Sequence, residues 1–159
     1  MTKNARGFFN ASVIIAALIS PTGGSRLLFE FVKQGKIKGI TSQTAVNEVL
    51  EEDKTSKIKR SKEEREQFIV KSGLVVRETI TILEIEPYKD QVDVEDAHLV
   101  AGANLTKCLY LVTLDKKHLL TENIRQKFLP LRIVSPKELL EEILYGNDNF
   151  FTSTDLRDD

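Results

Sequence analysis

Short apolar runs alternate with amphipathic stretches along the chain, and each run ends in a polar residue or a turn. Residues 7–9 read as a buried strand that ends in Asn10, and residues 12–18 as a helix. Ser20-Pro21-Thr22-Gly23-Gly24 is a turn, after which Ser25 is placed to cap a second helix with Leu27, Leu28, Phe31 and Val32 inward. Gly35 ends that helix, and residues 36–40 form a brief second strand. Thr41 or Ser42 opens a helix that turns Val46, Val49 and Leu50 inward, with Glu48 among them.

Residues 51–67 are almost purely polar and read as a helix end, an exposed connection and the start of another helix. The stretch 68–81 is amphipathic, and 82–85 is the next expected strand, closed by Pro87. Asp93-Val94-Glu95-Asp96 has the form of a helix N-terminus, with Asp93 as the cap of a helix through Leu99, Val100, Ala101 and Ala103. Residues 108–114 are apolar enough for a central parallel strand, and Asp115 follows at once. A last strand is expected at 131–134. Ser135-Pro136-Lys137-Glu138 then combines a capping box with proline at the first helical position. This alternation predicts an α/β fold, a three-layer α/β/α sandwich with a mostly parallel central sheet. Gly146 closes a single domain over 1–146, and the polar tail 147–159 is expected to be poorly ordered.

Composition narrows the function classes. With 159 residues, 41% hydrophobic and 30% charged, the chain has the profile of one soluble globular domain. A net charge of −1 gives no global attraction for nucleic acid, so any such contact must use a local patch. Cys108 is alone, which excludes a disulfide framework and a cysteine zinc site and fits a reducing cytoplasm. The longest apolar stretch, 11–19, is too short to span a bilayer and lacks the basic leader of a secretion signal.

Four polar signals carry the candidate chemistry: Asn10, Glu48, Asp96 and Asp115. Each falls at or just beyond the carboxyl end of an expected strand or in a helix beside it. A doubly wound sheet gathers its ligands there, and a ring of oxygen donors is a hard-cation site. Each also has a plainer reading. Asp115 suits a turn, Asp96 suits a helix's first turn, Asp93 suits a cap, and Glu48 suits a solvated helix face. His98 and His118 have no cysteine or third histidine with them and make a poor zinc set. Ser12 lies in no Ser-His-Asp ordering. Lys54, Lys57, Lys59 and Arg60, followed by Lys62 and Arg65, are either a solvated face or a phosphate-backbone patch.

Five motifs in order carry a resemblance: NASVIIAALISPTGGSRLLFEF, TSQTAVNEVL, DVEDAHLVAGA, YLVTLDKKHLL and RIVSPKELLEEI. The chain resembles a PIN domain, in particular the PIN-type toxins of prokaryotic toxin–antitoxin pairs, and the resemblance covers about residues 7–145. The resemblance implies an Mg²⁺- or Mn²⁺-dependent endoribonuclease with RNA as substrate, a small antitoxin protein as partner, a homodimer in the cytoplasm, and no membrane association. It implies catalytic Glu48, Asp96 and Asp115, and metal ligands Asn10, Glu48, Asp93, Asp96 and Asp115. Ser12 and Thr113 match flanking hydroxyl positions. The departure is Asn10, where the family pattern has aspartate. An amide oxygen can coordinate a cation but brings no charge, so the expected site is attenuated. The alternative is a PIN-fold module that binds RNA or protein and cuts weakly or not at all. A response-regulator receiver domain would need an acidic pair after strand 1, which is missing.

Overall fold

The structure is a computed structural model that describes residues 5–146; the tail expected at 147–159 lies outside the described residues. Five strands form its sheet: β1 (Arg6–Phe9), β2 (Lys38–Ser42), β3 (Val75–Arg77), β4 (Tyr110–Val112) and β5 (Arg132–Val134). Their order is β3-β2-β1-β4-β5, and every adjacent pair is parallel. The helices are α1 (Ala11–Ile19), α2 (Gly24–Lys33), α3 (Gln43–Val49), α4 (Lys54–Ile58), α5 (Lys62–Lys71), α6 (Ile82–Ile85), α7 (Ala97–Leu105), α8 (Glu122–Lys127) and α9 (Pro136–Tyr145). A 3-10 turn, Glu86–Tyr88, follows α6.

The period-two alternation of strand side chains divides the core into two layers. Ile40, Phe8, Leu111 and Ile133 lie in register across the sheet. They pack with Leu99, Val100 and Ala103 of α7 and with Leu119 and Phe128. Phe9, Tyr110, Val112 and Val134 face the other way, onto Ile14, Leu28, Phe29, Val49 and Leu139. Helices therefore cover both faces, as the three-layer expectation requires. The approach of α7 to β1 needs Gly102, where a Cβ would stand 2.5 Å from Cζ of Phe8.

Several local expectations are corrected. Residues 82–85 are helix α6, not a strand. Thr81 and Glu84 form a reciprocal capping box there, and Ile82 and Leu83 are 82% and 84% exposed, so the apolar run buries nothing. The strand lies earlier, at β3, after Gly73 at φ +87° breaks away from α5. Ser25 does not cap α2. Gly23 occupies that position, and Ser25 is buried in the first turn while Leu27 points outward. Asp93 does not cap α7 either. Asp96 stands at the N-cap position without a side-chain cap bond, and Asp93 Oδ1 instead accepts from the Glu95 amide at 3.0 Å in the preceding turn. The remaining strands begin or end a few residues from the expected limits. Ser42 caps α3 through Ala45, and the Ser135–Glu138 capping box opens α9 as expected.

Two polar devices hold the elements around the carboxyl ends of the strands. The buried Thr41 hydroxyl donates to the Phe9 carbonyl at 2.7 Å, fastening β2 to the end of β1. Arg65, fully buried at the start of α5, donates to the carbonyls of Arg60 (2.8 Å) and Glu51 (3.2 Å). The second bond lies just past the end of α3. It fixes that end, and with it the helix that carries Glu48.

Candidate metal centre

The strand order reverses between β1 and β4: β2 and β3 lie to one side of β1, β4 and β5 to the other. Loops leaving adjacent strands in opposite directions open a crevice at their carboxyl ends. A cleft of about 800 Å³ lies there, and Asn10, Ser12, Glu48, Asp96 and Asp115 all contribute to its walls.

Asn10 directly follows β1 and is only 8% exposed. Its backbone N–H donates to Val112 at 3.0 Å, and its side-chain Nδ2 donates to Thr113 Oγ1 at 2.8 Å. With the amide nitrogen committed, Oδ1 is the donor atom that Asn10 can offer a cation. Thr113 Oγ1 also accepts from the Asp115 amide at 3.1 Å, so one buried hydroxyl connects residue 10 to the acid after β4. Ser12 Oγ accepts from the Leu114 amide at 3.2 Å and pins the same loop. Asp115 Oδ1 accepts from the amides of Lys117 and His118, at 3.1 and 2.9 Å, in a tight turn. The flanking hydroxyls thus act on the backbone that aims the acid.

Asp96, Asp115 and His118 each place a donor atom within 4.8 Å of the others. Burial pushes the Asp96 carboxyl up to about 6, and the charges of Asp115 and Asp93 add to the rise. Two partly buried carboxylates brought this close, offset only in part by His118, form an unfavourable arrangement that a divalent cation relieves. The donors are mainly hard oxygens. The residues present therefore fit Mg²⁺ or Mn²⁺. Glu48 lies apart from this set, on α3 in the cleft wall. Desolvation raises its pKa, Glu51 adds to the rise, and Lys54 partly offsets it. Asp93 also stands outside the convergent set. Its Oδ2 lies 3.8 Å from His118 Nε2.

The charge cost at Asp96 has a measurable sign. Its folded-state pKa lies above the ordinary 3.8, so the ionised form costs stability. That cost is absent below the ordinary value and complete above about 6. Discounted for a half-exposed group, it amounts to about 1–2 kcal/mol. Asp96→Asn should accordingly raise the melting temperature of the metal-free protein at pH 7 and have little effect at pH 4. A lower melting temperature in EDTA at pH 7 would make Asp96 a structural group instead.

The basic candidates disperse. Lys54 is ion-paired to Glu51 at 3.1 Å and to Asp53 at 3.6 Å, close enough to Glu48 to act on its charge. Arg60 lines a separate depression with Arg26 and Lys71. Lys57 and Lys59 do not line the acidic cleft. Other cleft residues lay outside the sequence reading. Glu51, Glu95, Thr44 and Asn47 line the walls. Thr44 is four residues before Glu48 and so shares its helix face, a signal available in the sequence. His98 also reaches the cleft, and burial lowers its pKa. His118, set aside as a zinc ligand on the sequence, belongs to the convergent set.

Comparison with known proteins bears on the same region. The family model described as PIN domain matches residues 6–117. Among solved structures, the chain is similar to the VapC20 toxin of Mycobacterium tuberculosis, a sarcin–ricin loop cleaving toxin. The TM-score is 0.51 at 12% identity, covering 70% of this chain and 91% of that one. That likeness is one of fold. No curated protein matches the sequence significantly.

Proposed function

The chain belongs to the PIN domain family, and on that premise we propose that it is a divalent-metal-dependent endoribonuclease, the toxin of a toxin–antitoxin pair, attenuated by Asn10. The observation that carries this reading is the meeting of Asp96 and Asp115 at the β1–β4 crevice, within a matched family region. A bound Mg²⁺ or Mn²⁺ supplies charge stabilisation for attack on a phosphodiester and lowers the pKa of the attacking water. Asp96 and Asp115 would hold that cation, joined by the amide oxygen of Asn10. Thr113 and Ser12 keep the loop after β4 in place for them. Glu48, made more basic by burial and by neighbouring Glu51, accepts the proton of the attacking water at a carboxylate oxygen. The acidic walls repel RNA unless cation is present. Lys54, Lys57, Lys59 and Arg60 would engage the phosphate backbone from outside the acid set.

Likeness in fold to a protein described as a sarcin–ricin loop cleaving toxin fits the toxin role, for which a small antitoxin would be the partner. The exposed Ile82 and Leu83 on α6 offer apolar surface for a protein contact, the antitoxin or a second copy in a homodimer. No single helix among the described residues is long and apolar enough to cross a membrane. A cytoplasmic site of action fits an RNA substrate.

Asn10 favours a second reading, a PIN-fold module that binds RNA or protein and cuts poorly. Its side chain forms a neutral, satisfied bond with Thr113 and adds no charge to the cleft. Incubating the full chain with single-stranded RNA and Mn²⁺ separates the readings. Internal cleavage that EDTA stops is expected. RNA binding without cleavage would select the second reading, and neither activity would reject both.

A further inference from the structure

His118 is tied to the acid set by two independent pieces of backbone. Its own amide donates to Asp115 Oδ1 at 2.9 Å, which places its ring three residues on and on the same side of the turn as that carboxylate. Nδ1 then lies 3.4 Å from Asp115 Oδ2. Nε2 lies 3.8 Å from Asp93 Oδ2. Asp93 is in turn fixed by the turn that leads into Asp96: its carbonyl accepts from the Asp96 amide at 2.8 Å, and its Oδ1 from the Glu95 amide at 3.0 Å. One short turn thus presents Asp96 to the cluster and Asp93 to the far nitrogen of the ring.

Resting on the metal-dependent reading above, we propose that His118 Nδ1 is a ligand of the same cation as Asp96 and Asp115, with Asp93 beside Nε2, so that this site selects Mn²⁺ over Mg²⁺. Ligating imidazoles characteristically give their other ring nitrogen to a carboxylate, which fixes the tautomer and strengthens the donor. Asp93 Oδ2 stands on the Nε2 side of the ring at 3.8 Å, beyond hydrogen-bond distance, and a small side-chain rotation would bring it into that arrangement. Mg²⁺ prefers an all-oxygen shell and dehydrates reluctantly, whereas the first-row transition cations tolerate an imidazole donor, Mn²⁺ least strongly among them. A nitrogen donor also answers the deficit at residue 10. Neutral imidazole restores no charge, but it adds a strong bond for the cations that accept nitrogen. The competing explanation is a surface ion pair, in which a protonated His118 merely balances two acids; its side chain is 43% exposed.

Pulsed electron paramagnetic resonance on the Mn²⁺-loaded full chain tests this directly. Imidazole ¹⁴N coupling is expected in the parent and should vanish in His118→Ala and His118→Gln. Calorimetry should show the ratio of Mn²⁺ to Mg²⁺ affinity falling about tenfold or more in both variants, with melting in EDTA little changed. Asp93→Asn should weaken Mn²⁺ binding about tenfold while the ¹⁴N coupling persists. Mn²⁺ bound without ¹⁴N coupling in the parent, or an unchanged affinity ratio in both variants, would overturn the proposal and leave a carboxylate-only site. Failure of the underlying reading looks different: the parent would bind no Mn²⁺ at all, or Asp115→Asn would bind it as tightly as the parent.

Discussion

Asp115→Asn is expected to lower Mn²⁺-dependent RNA cleavage by about a hundredfold or more, close to 2.7 kcal/mol of transition-state stabilisation, while the protein remains folded. The substitution is informative because of what it preserves. Asp115 Oδ1 accepts from the amides of Lys117 and His118, and an asparagine Oδ1 can accept the same two bonds. The turn survives and only charge is lost. Asp115→Ala would confuse the issue by removing the turn's acceptor, a loss of about 1 kcal/mol by itself. Asp96→Asn should give a comparable loss of activity, together with the gain in metal-free stability argued above. Cleavage rates alongside melting curves in EDTA separate the two effects. Undiminished cleavage by a folded Asp115→Asn protein would exclude this carboxylate from the chemistry.

Asn10→Asp is expected to act in the opposite direction, tightening Mn²⁺ binding by about tenfold to a hundredfold and raising cleavage with it. Two unit charges about 4 Å apart interact by about 1 kcal/mol in water and about 4 kcal/mol near a protein surface. A divalent cation doubles the attraction, and repulsion from Asp96 and Asp115 cancels part of it. A net gain of about 1.4–2.7 kcal/mol is therefore reasonable. The local structure is ready for the change. Thr113 Oγ1 accepts from Asn10 Nδ2 and from the Asp115 amide, and its own proton can rotate to donate to a carboxylate at residue 10. Without metal the extra buried charge should cost stability, so the variant should melt lower than the parent in EDTA and gain more on adding Mn²⁺. An unchanged affinity would mean that residue 10 contributes no ligand.

The legible parts of this molecule are those where burial and sequence pattern coincide. β1, β4 and β5 are covered on both faces, so their buried residues are apolar and the polar residues after them mark the strand ends. Asn10, Thr113 and Asp115 could be placed at the carboxyl ends of the strands for that reason. β3 escaped because it is an edge strand whose Val75 and Val76 are 48% and 39% exposed, in a segment with little buried apolar signal. α6 was misleading in the other direction. Ile82, Leu83 and Ile85 form an apolar run, yet the Thr81–Glu84 capping box makes it a surface helix. The meeting of Asp96 with Asp115 depends on how the turn before α7 folds across the crevice, which no local spacing specifies. His118 was within reach of the sequence: it lies three residues after Asp115. Weighing the histidines against each other and against cysteine hides a nitrogen whose neighbours are carboxylates.

Central to this chemistry is one cation shared by residue 10, Asp96 and Asp115, with affinity set by the number of carboxylates around it. Calorimetric titration with Mn²⁺ of the parent, Asn10→Asp, and the Asn10→Asp/Asp115→Asn double variant measures this in a single series. Weak binding by the parent, tighter binding by Asn10→Asp, and a return to parent-like or weaker binding in the double variant is the predicted result. Parent binding as tight as that of Asn10→Asp, or a double variant that keeps the full gain, would contradict it.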